Sequence, residues 1–195
     1  SFSDGAFALG EEIVDGSVSM RMIKPCSFDM CFLFQELGNK VINYSIMFVP
    51  IVLGVEIYRF VITGAVQFNI LSFVLFFLSL QLAYLINFYF NVCYGFLAFF
   101  LKNLWGTKLI KDVIVGFLSG STIPLAFMPD VLQTVLTYLP FASLSYTPVM
   151  IYMNMYSPLQ IAFSMLLQAL WLAVFVLVSK LIWHFAMKHL CIQGG

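Results

Sequence analysis

The sequence predicts an all-α integral membrane protein, a bundle of about four transmembrane helices with an external re-entrant hairpin and an N-terminal cytoplasmic amphipathic segment. Of the 195 residues, 62% are hydrophobic and 9% are charged, whereas soluble domains have roughly 45–50% and about 25%. The charges are clustered, so that residues 60–101 and 131–179 contain none. Uncharged apolar runs longer than about 18 residues indicate membrane spans. A water-soluble fold is excluded, and residues 1–195 are interpreted as one transmembrane domain.

Residues 1–39 are the predicted N-terminal cytoplasmic segment, and residues 1 to about 30 are the most polar part of the chain. Between residues 11 and 24, five charged residues alternate with Ile, Val and Met: Glu11, Glu12, Asp15, Arg21 and Lys24. This pattern is typical of short amphipathic helices at a membrane surface. Pro25 is expected to end one of them, because the residue before a proline is disfavoured in the helical region. The chain begins with Ser1 and without a basic segment before a short apolar core, so we expect that an upstream part is missing.

The transmembrane part, residues 40–183, contains four apolar runs. The predicted spans are 41–58, 68–101, 108–127 and 158–183. Pro50 is a candidate kink in the first span. The second run would be about 51 Å long as a helix, and it is predicted to be one helix because its only glycine or proline is Gly95, near its end.

Between the last two spans, prolines flank the short apolar piece 131–139. About nine residues cannot cross a bilayer as a helix. The piece can enter the membrane and return on the same side if its irregular backbone is buried in protein. The sequence therefore predicts a re-entrant hairpin, with an outer gate formed by Pro124, Pro129, Pro140 and Phe141.

The distribution of basic residues predicts the orientation. With the spans above, all of the nine Lys and Arg residues except Arg59 lie on one side, and this side is cytoplasmic by the positive-inside rule. The hairpin and Asp130 are then external. Both ends of the chain, including the tail 184–195, are then cytoplasmic, in a multi-pass protein of the plasma or inner membrane.

The second span carries one polar stripe. Its four members are Tyr84, Asn87, Asn91 and Tyr94. At about 100° per residue they fall within an arc of about 80°. Side-chain amides are costly in hydrocarbon, so the stripe should face the bundle or a water-filled path. Two interpretations stay open, a lining of a translocation path and hydrogen bonding between helices.

Several functions are excluded or disfavoured. Zero net charge and a pI near 6.7 provide no basic surface for nucleic acid. The histidines His184 and His189 are about 140° apart on a helix and cannot form one metal site. The cysteines lack C-x-x-C spacing and are expected to be free thiols. No G-x-x-x-x-G-K-[ST] motif occurs, so this chain would hold no cofactor, and ATP-Mg would have to bind to a partner.

Several motifs near the predicted hairpin contain prolines at characteristic positions, and shorter motifs lie nearer to both ends of the chain. They are Ser119-Gly120-Ser121-Thr122-Ile123-Pro124-Leu125, Met128-Pro129-Asp130, Leu139-Pro140-Phe141, Pro148-Val149, Gly16 to Pro25, Gln168-Ala169-Leu170-Trp171 and Gln193-Gly194-Gly195. Together they resemble the closing half of type-2 ABC-exporter permeases, in the bacterial group of small, separately encoded membrane subunits. The resemblance covers nearly the whole chain.

The resemblance implies six spans, of which this chain would contain the third to sixth, with two expected before Ser1. It also implies that residues 11–28 are the cytoplasmic segment that couples the permease to its ATPase, through Glu11, Glu12, Asp15, Arg21 and Lys24. The expected assembly is two permeases, like or unlike, with two copies of a separate ATPase. An alternative from another class is a substrate-binding membrane subunit or small carrier that no ABC ATPase drives.

Overall fold

The structure, a computed structural model, describes residues 28–64, 69–96 and 105–193. These residues form helices only, and no strand occurs among them. The α-helices are α1 (Phe28–Thr63), α2 (Ile70–Gly95), α3 (Trp105–Leu118), α4 (Asp130–Tyr138), α5 (Tyr146–Tyr152) and α6 (Pro158–Gln193), with 3-10 turns at Leu125–Phe127 and Ala142–Leu144. The predicted all-α fold class is confirmed. Residues 28–73 and 74–193 belong to separate compact units.

Three of these helices are long and apolar enough to cross a membrane. The apolar segments are Ile46–Thr63 of α1, the whole of α2, and Pro158–Phe185 of α6. Pro50 lies inside α1, where its ring nitrogen has no hydrogen to donate to Ile46 O. The second predicted span, 68–101, contains a single helix, as expected, but this helix ends at Gly95, six residues before the predicted end.

The third predicted span is wrong beyond Leu118. The sequence predicted an apolar helix to residue 127, but α3 ends after 14 residues, about 21 Å of helix. Gly120 has φ +76°, a left-handed conformation that ends helices and favours glycine. Gly116 O then accepts hydrogen bonds from Thr122 N at 3.2 Å and from Ser121 Oγ at 3.1 Å. The chain therefore turns at the end of α3 although its composition remains apolar.

The start of α6 is fixed by a reciprocal pair of hydrogen bonds. Ser157 N donates to Gln160 Oε1 at 2.8 Å, and Gln160 N donates to Ser157 Oγ at 3.4 Å. This is a capping box, which satisfies two donors that a helix start leaves without intrahelical partners. Pro158 occupies the first helical position, where its lack of an N–H costs nothing. The last span thus begins where the sequence predicted.

The turn before α6 is equally defined. Asn154 has φ +57°, and asparagine tolerates this left-handed region better than most residues. Its N–H donates to Ile151 O at 3.1 Å, and Met155 N donates to Met150 O at 3.0 Å. These two bonds form a Schellman motif that ends α5.

Helices α2 and α6 pack side by side and run in the same direction. Their contacts are Ser79 with Gln168, Phe90 with Phe175 and Phe96 with Trp183. The residue numbers rise together on both helices, as they must in a parallel pair. On α2, the buried positions Phe76, Ser79, Ala83 and Ile86 follow each other at steps of three and four, the spacing of a helix that packs along one seam.

Candidate functional site

The segment between α3 and α6 is a packed helical hairpin. Its apolar centre consists of Leu125, Met128, Leu136 and Ala142, against which Leu118, Leu139 and Tyr146 pack. Helices α4 and α5 are joined by a hydrogen bond of 3.2 Å from Gln133 Nε2 to Tyr146 Oη. The short apolar piece of the sequence is helical, since it forms most of α4. The nine residues of α4 extend about 14 Å, less than the thickness of a bilayer.

This hairpin lies beside α2 along much of the length of that helix. The rings of Tyr152 and Phe76 have centroids 5.2 Å apart, and those of Phe141 and Phe90 have centroids 5.6 Å apart in an edge-to-face arrangement. Phe76 and Phe90 are separated by about 21 Å along the helix axis. The apex of the hairpin, residues 139–144, therefore contacts α2 in the last third of that helix, at Phe90, five residues before Gly95.

The four residues predicted to form an outer gate occupy two different environments. Pro124 and Pro129 are exposed and immediately precede the 3-10 turn at Leu125–Phe127 and helix α4. Pro140 is buried at the apex, and the half-buried Phe141 packs on Phe90. Of the four, Phe141 makes a ring contact with α2, and the gate role of all four stays a prediction.

The polar stripe of α2 faces the protein interior. Asn87, Asn91 and Tyr94 are buried and Tyr84 is half-buried. Tyr94 Oη is 2.7 Å from Thr107 Oγ1 of α3, and Asn91 Nδ2 donates to Asn87 O at 2.9 Å. The structure brings the stripe together with α3, and a path-lining role of its four residues stays a prediction.

Lys111 of α3 completes this cluster, and sequence reasoning missed it. Its Nζ donates to Asn91 Oδ1 at 2.7 Å and lies 4.7 Å from the centroid of the Tyr94 ring. The same Nζ is 3.3 Å from Asp112 Oδ1. One signal was available, because Thr107 and Lys111 are four residues apart and so share a helix face, as Asn91 and Tyr94 do.

A second polar cluster joins the hairpin to both α2 and α6. Gln168, fully buried at 0% exposure, accepts a hydrogen bond at 3.0 Å from Ser79 Oγ and donates to Ser143 O at 3.1 Å and to Ser79 O at 3.4 Å. One turn further along α6, Trp171 Nε1 donates to Tyr138 O at 3.0 Å. The sequence indicated these residues only through the resemblance of the motif around them.

Other predicted features have mixed outcomes. An ion pair lies near the end of α1, with Arg59 Nη1 3.3 Å from Glu56 Oε1. Cys93 takes no part in a disulfide bond, as expected, but Cys31 is disulfide-bonded, so the free-thiol prediction was wrong there. The C-x-x-C criterion does not detect pairs at other separations. Across 28–64, 69–96 and 105–193, no group of His, Cys, Asp or Glu could hold a metal ion. The five predicted coupling residues, Glu11, Glu12, Asp15, Arg21 and Lys24, lie outside the described residues.

Long apolar helices, two of them packed in parallel and bridged by a helical hairpin, define a multi-pass all-α membrane protein. Comparison with protein families identifies the class more closely: the family described as ABC-2 family transporter protein matches this chain over residues 1–194. The chain belongs to this family, and the resemblance to type-2 ABC permeases is confirmed. Comparisons with curated proteins and with solved structures give no match.

Proposed function

We propose that the chain is the membrane-spanning permease subunit of an ATP-driven ABC exporter, which forms part of a translocation path and is coupled to a separate ATPase. The observation that carries the proposal is the family match over residues 1–194. Membership of this family implies an ABC ATPase partner and a membrane setting. The sequence contains no P-loop motif of its own, so ATP-Mg would be bound and hydrolysed in the partner.

The parallel packing of α2 and α6 supports a topology for this subunit. If two parallel helices both span the bilayer, the chain between them must return across it once. Helix α3 supplies about 21 Å of this return, less than the hydrocarbon thickness of about 30 Å, and the hairpin continues from its end. We therefore propose that the hairpin is re-entrant from the external side, with both ends of the chain in the cytoplasm.

The proposed mechanism involves no bond chemistry in the permease. ATP-driven closure of the ATPase would move the coupling segment, residues 11–28, and the packed helices would transmit this displacement as a rigid-body motion. A second permease, identical or homologous, would complete the path at their interface. Asn91, Lys111, Tyr94 and Thr107 join α2 to α3, so these two helices are expected to move together.

The coupling segment provides the experiment. Reversal of Glu11 and Glu12 to Lys should release or uncouple the ATPase while the permease still inserts, because a docked helix loses charge complementarity with its partner. A helix that only rests on anionic headgroups would gain attraction from the same change. The matched control is Asp130→Lys, an exposed charge reversal at the opposite side in the proposed topology.

Two measurements decide the outcome: recovery of the ATPase with the tagged permease from detergent, and transport by the complex in vesicles. Loss of either in the Glu11 and Glu12 variant, with both retained in Asp130→Lys, supports the proposal. Normal values in both variants refute the coupling role. A wild-type permease that is purified with no ATPase would instead favour a carrier or substrate-binding subunit.

A further inference from the structure

We propose that Gln168 is a positioning residue that couples α6 to the hairpin, so that displacement of α6 moves the apex residues Pro140 and Phe141. The inference rests on the proposed function and names a residue that transmits motion within the permease. It begins from the placement of one buried amide between three elements, α2, the hairpin and α6.

The bonding capacity of Gln168 is matched to its surroundings. Its oxygen accepts from the Ser79 hydroxyl, while its nitrogen donates to the carbonyl oxygens of Ser79 and Ser143. A buried amide without partners is costly in an apolar interior. Only a side chain with both a donor and an acceptor can serve these contacts at once. An apolar residue of the same size would fill the space but would not fix the hairpin in one register.

The two donors from α6 bracket the apex of the hairpin. Gln168 and Trp171 are three residues apart and therefore share a helix face. Trp171 binds the carbonyl of Tyr138, immediately before the apex, and Gln168 binds that of Ser143, near the end of the apex. The carbonyl of Tyr138 is at the end of α4, where helix carbonyls lack intrahelical partners. Pro140 and Phe141 lie between the two attachment points.

The hydrogen bonds from Gln168 and Trp171 to the hairpin depend strongly on geometry, whereas the aromatic packing around them depends on it less. Aromatic packing of Phe141 on Phe90 and of Tyr138 on Phe163 tolerates small sliding movements. Hydrogen bonds weaken steeply when the donor angle or distance changes. A displacement of α6 therefore either carries the apex with it or breaks the bonds of Gln168 and Trp171, and such an all-or-none contact is what transmission between packed elements requires.

The test uses the permease purified with its ATPase and reconstituted in vesicles. Gln168→Met removes all three bonds and keeps an unbranched side chain of similar length. Gln81→Met is the matched control, the same substitution at an exposed position of α2. The proposal expects Gln168→Met to assemble and hydrolyse ATP but to transport roughly tenfold less per ATP, because three hydrogen bonds at the low end of their usual net contribution correspond to about that factor.

A second readout does not depend on the ATPase. Hydrogen exchange of the amides of residues 130–152, measured on the permease alone, should be roughly tenfold faster in Gln168→Met and unchanged in Gln81→Met. Ser79→Ala removes the hydroxyl that donates a hydrogen bond to Gln168 Oε1. The double variant with Gln168→Met should exchange at the same rate as Gln168→Met alone, because the effects of two substitutions that remove the same interaction are not additive.

If Gln168→Met fails to insert, Trp171→Phe replaces it. This variant removes the Nε1 donor and keeps an aromatic ring, and Leu170→Ala, at the adjacent exposed position of α6, is its control. A few-fold loss of transport per ATP in Trp171→Phe alone is expected, since about one hydrogen bond is lost.

Two results would overturn the proposal. One is normal transport per ATP in Gln168→Met with intact assembly, whatever the exchange rate. The other is hairpin exchange equal to that of the wild type, which means that Gln168 does not hold the apex. If the wild-type permease neither recovers an ATPase nor transports, the proposed function fails first and the transmission role fails with it, whereas the exchange measurement still decides whether Gln168 holds the hairpin.

Discussion

Lys111 Nζ of α3 donates to Asn91 Oδ1 of α2 over 2.7 Å, and the lysine side chain is only 9% exposed. A cation in such a position requires compensation for its lost hydration. Asn91 supplies an amide oxygen, Asp112 a carboxylate and Tyr94 the negative face of its ring. The contact of Tyr94 with Thr107 lies one turn away on both helices. Two polar contacts thus join α2 to α3.

The first prediction concerns the stability that this lysine provides. Lys111→Met should lower the free energy of unfolding by about 1.5–3 kcal/mol, the usual range for a hydrogen bond to a charged group. The measurement is denaturant unfolding of the purified permease in detergent. Lys180→Met, at an exposed position of α6, is the control and should unfold like the wild type. Equal stability of the two variants would show that the Asn91 contact contributes nothing.

The second prediction separates the two interpretations of the polar stripe. Asn91→Ala should cost about 1–3 kcal/mol, because it leaves the buried Lys111 without one of its partners. Asn87 takes part in this bonding through its backbone carbonyl, which an alanine retains. If the stripe lines the path, Asn87→Ala changes the stimulation of ATP hydrolysis by substrate while the complex still assembles. If the stimulation is unchanged over a range of substrates, the stripe serves only for hydrogen bonding between helices.

Local sequence patterns predicted the helices well where the apolar composition and the residues that start or end a helix indicated the same boundary. Residues 158–183 are uncharged except for Lys180, and Ser157 with Gln160 forms the capping box that starts α6. The pattern was misleading after Leu118, because residues 123–128 remain mostly apolar while the left-handed Gly120 already turns the chain. Hydropathy averages over such a residue, whereas one backbone conformation ends the helix.

The candidate site was harder to predict because its contacts join distant parts of the chain. Gln168 and Ser79 are separated by 89 positions, and no helical or strand period relates them. The basic residue Lys111 served only to predict orientation, since the positive-inside rule counts charges and does not identify their partners. The stripe from Tyr84 to Tyr94 could be found because its members share one helix face.

The third prediction concerns the capping box. Ser157→Ala removes the hydroxyl that accepts from Gln160 N and should cost about 1 kcal/mol of stability, the typical loss at such a cap. Ser164→Ala is the control, because the Ser164 hydroxyl donates to Gln160 O from an exposed position within the helix and such bonds add little stability. Unfolding of both variants in detergent tests the difference. A loss as large in Ser164→Ala would assign the effect to the helix surface and not to its start.

The fourth prediction tests the topology by cysteine accessibility. In a background with Cys26, Cys31 and Cys93 replaced by Ser, which also removes the disulfide bond of Cys31, Cys191 should react with a membrane-impermeant maleimide only after the cells are opened. Asp130→Cys, with Cys191 also replaced, should react in intact cells because Asp130 is exposed at the start of α4. Labelling of Cys191 from outside would reverse the orientation derived from the basic residues.

The last prediction concerns Phe141 at the apex of the hairpin. Phe141→Ala removes the edge-to-face contact with Phe90, which contributes about 0.5–1.5 kcal/mol beyond the area it buries. If the apex closes the path on the external side, this loss should alter transport or the stimulation of ATP hydrolysis by substrate, with the complex still assembled. Phe127→Ala is the matched control, since the Phe127 ring is in the same segment but 82% exposed. Equal effects of the two substitutions on transport would mean that the apolar surface of the segment, and not the contact of its apex with α2, matters for closure. A tag inserted after Asp130 that is reached only from the cytoplasm would exclude an external gate altogether.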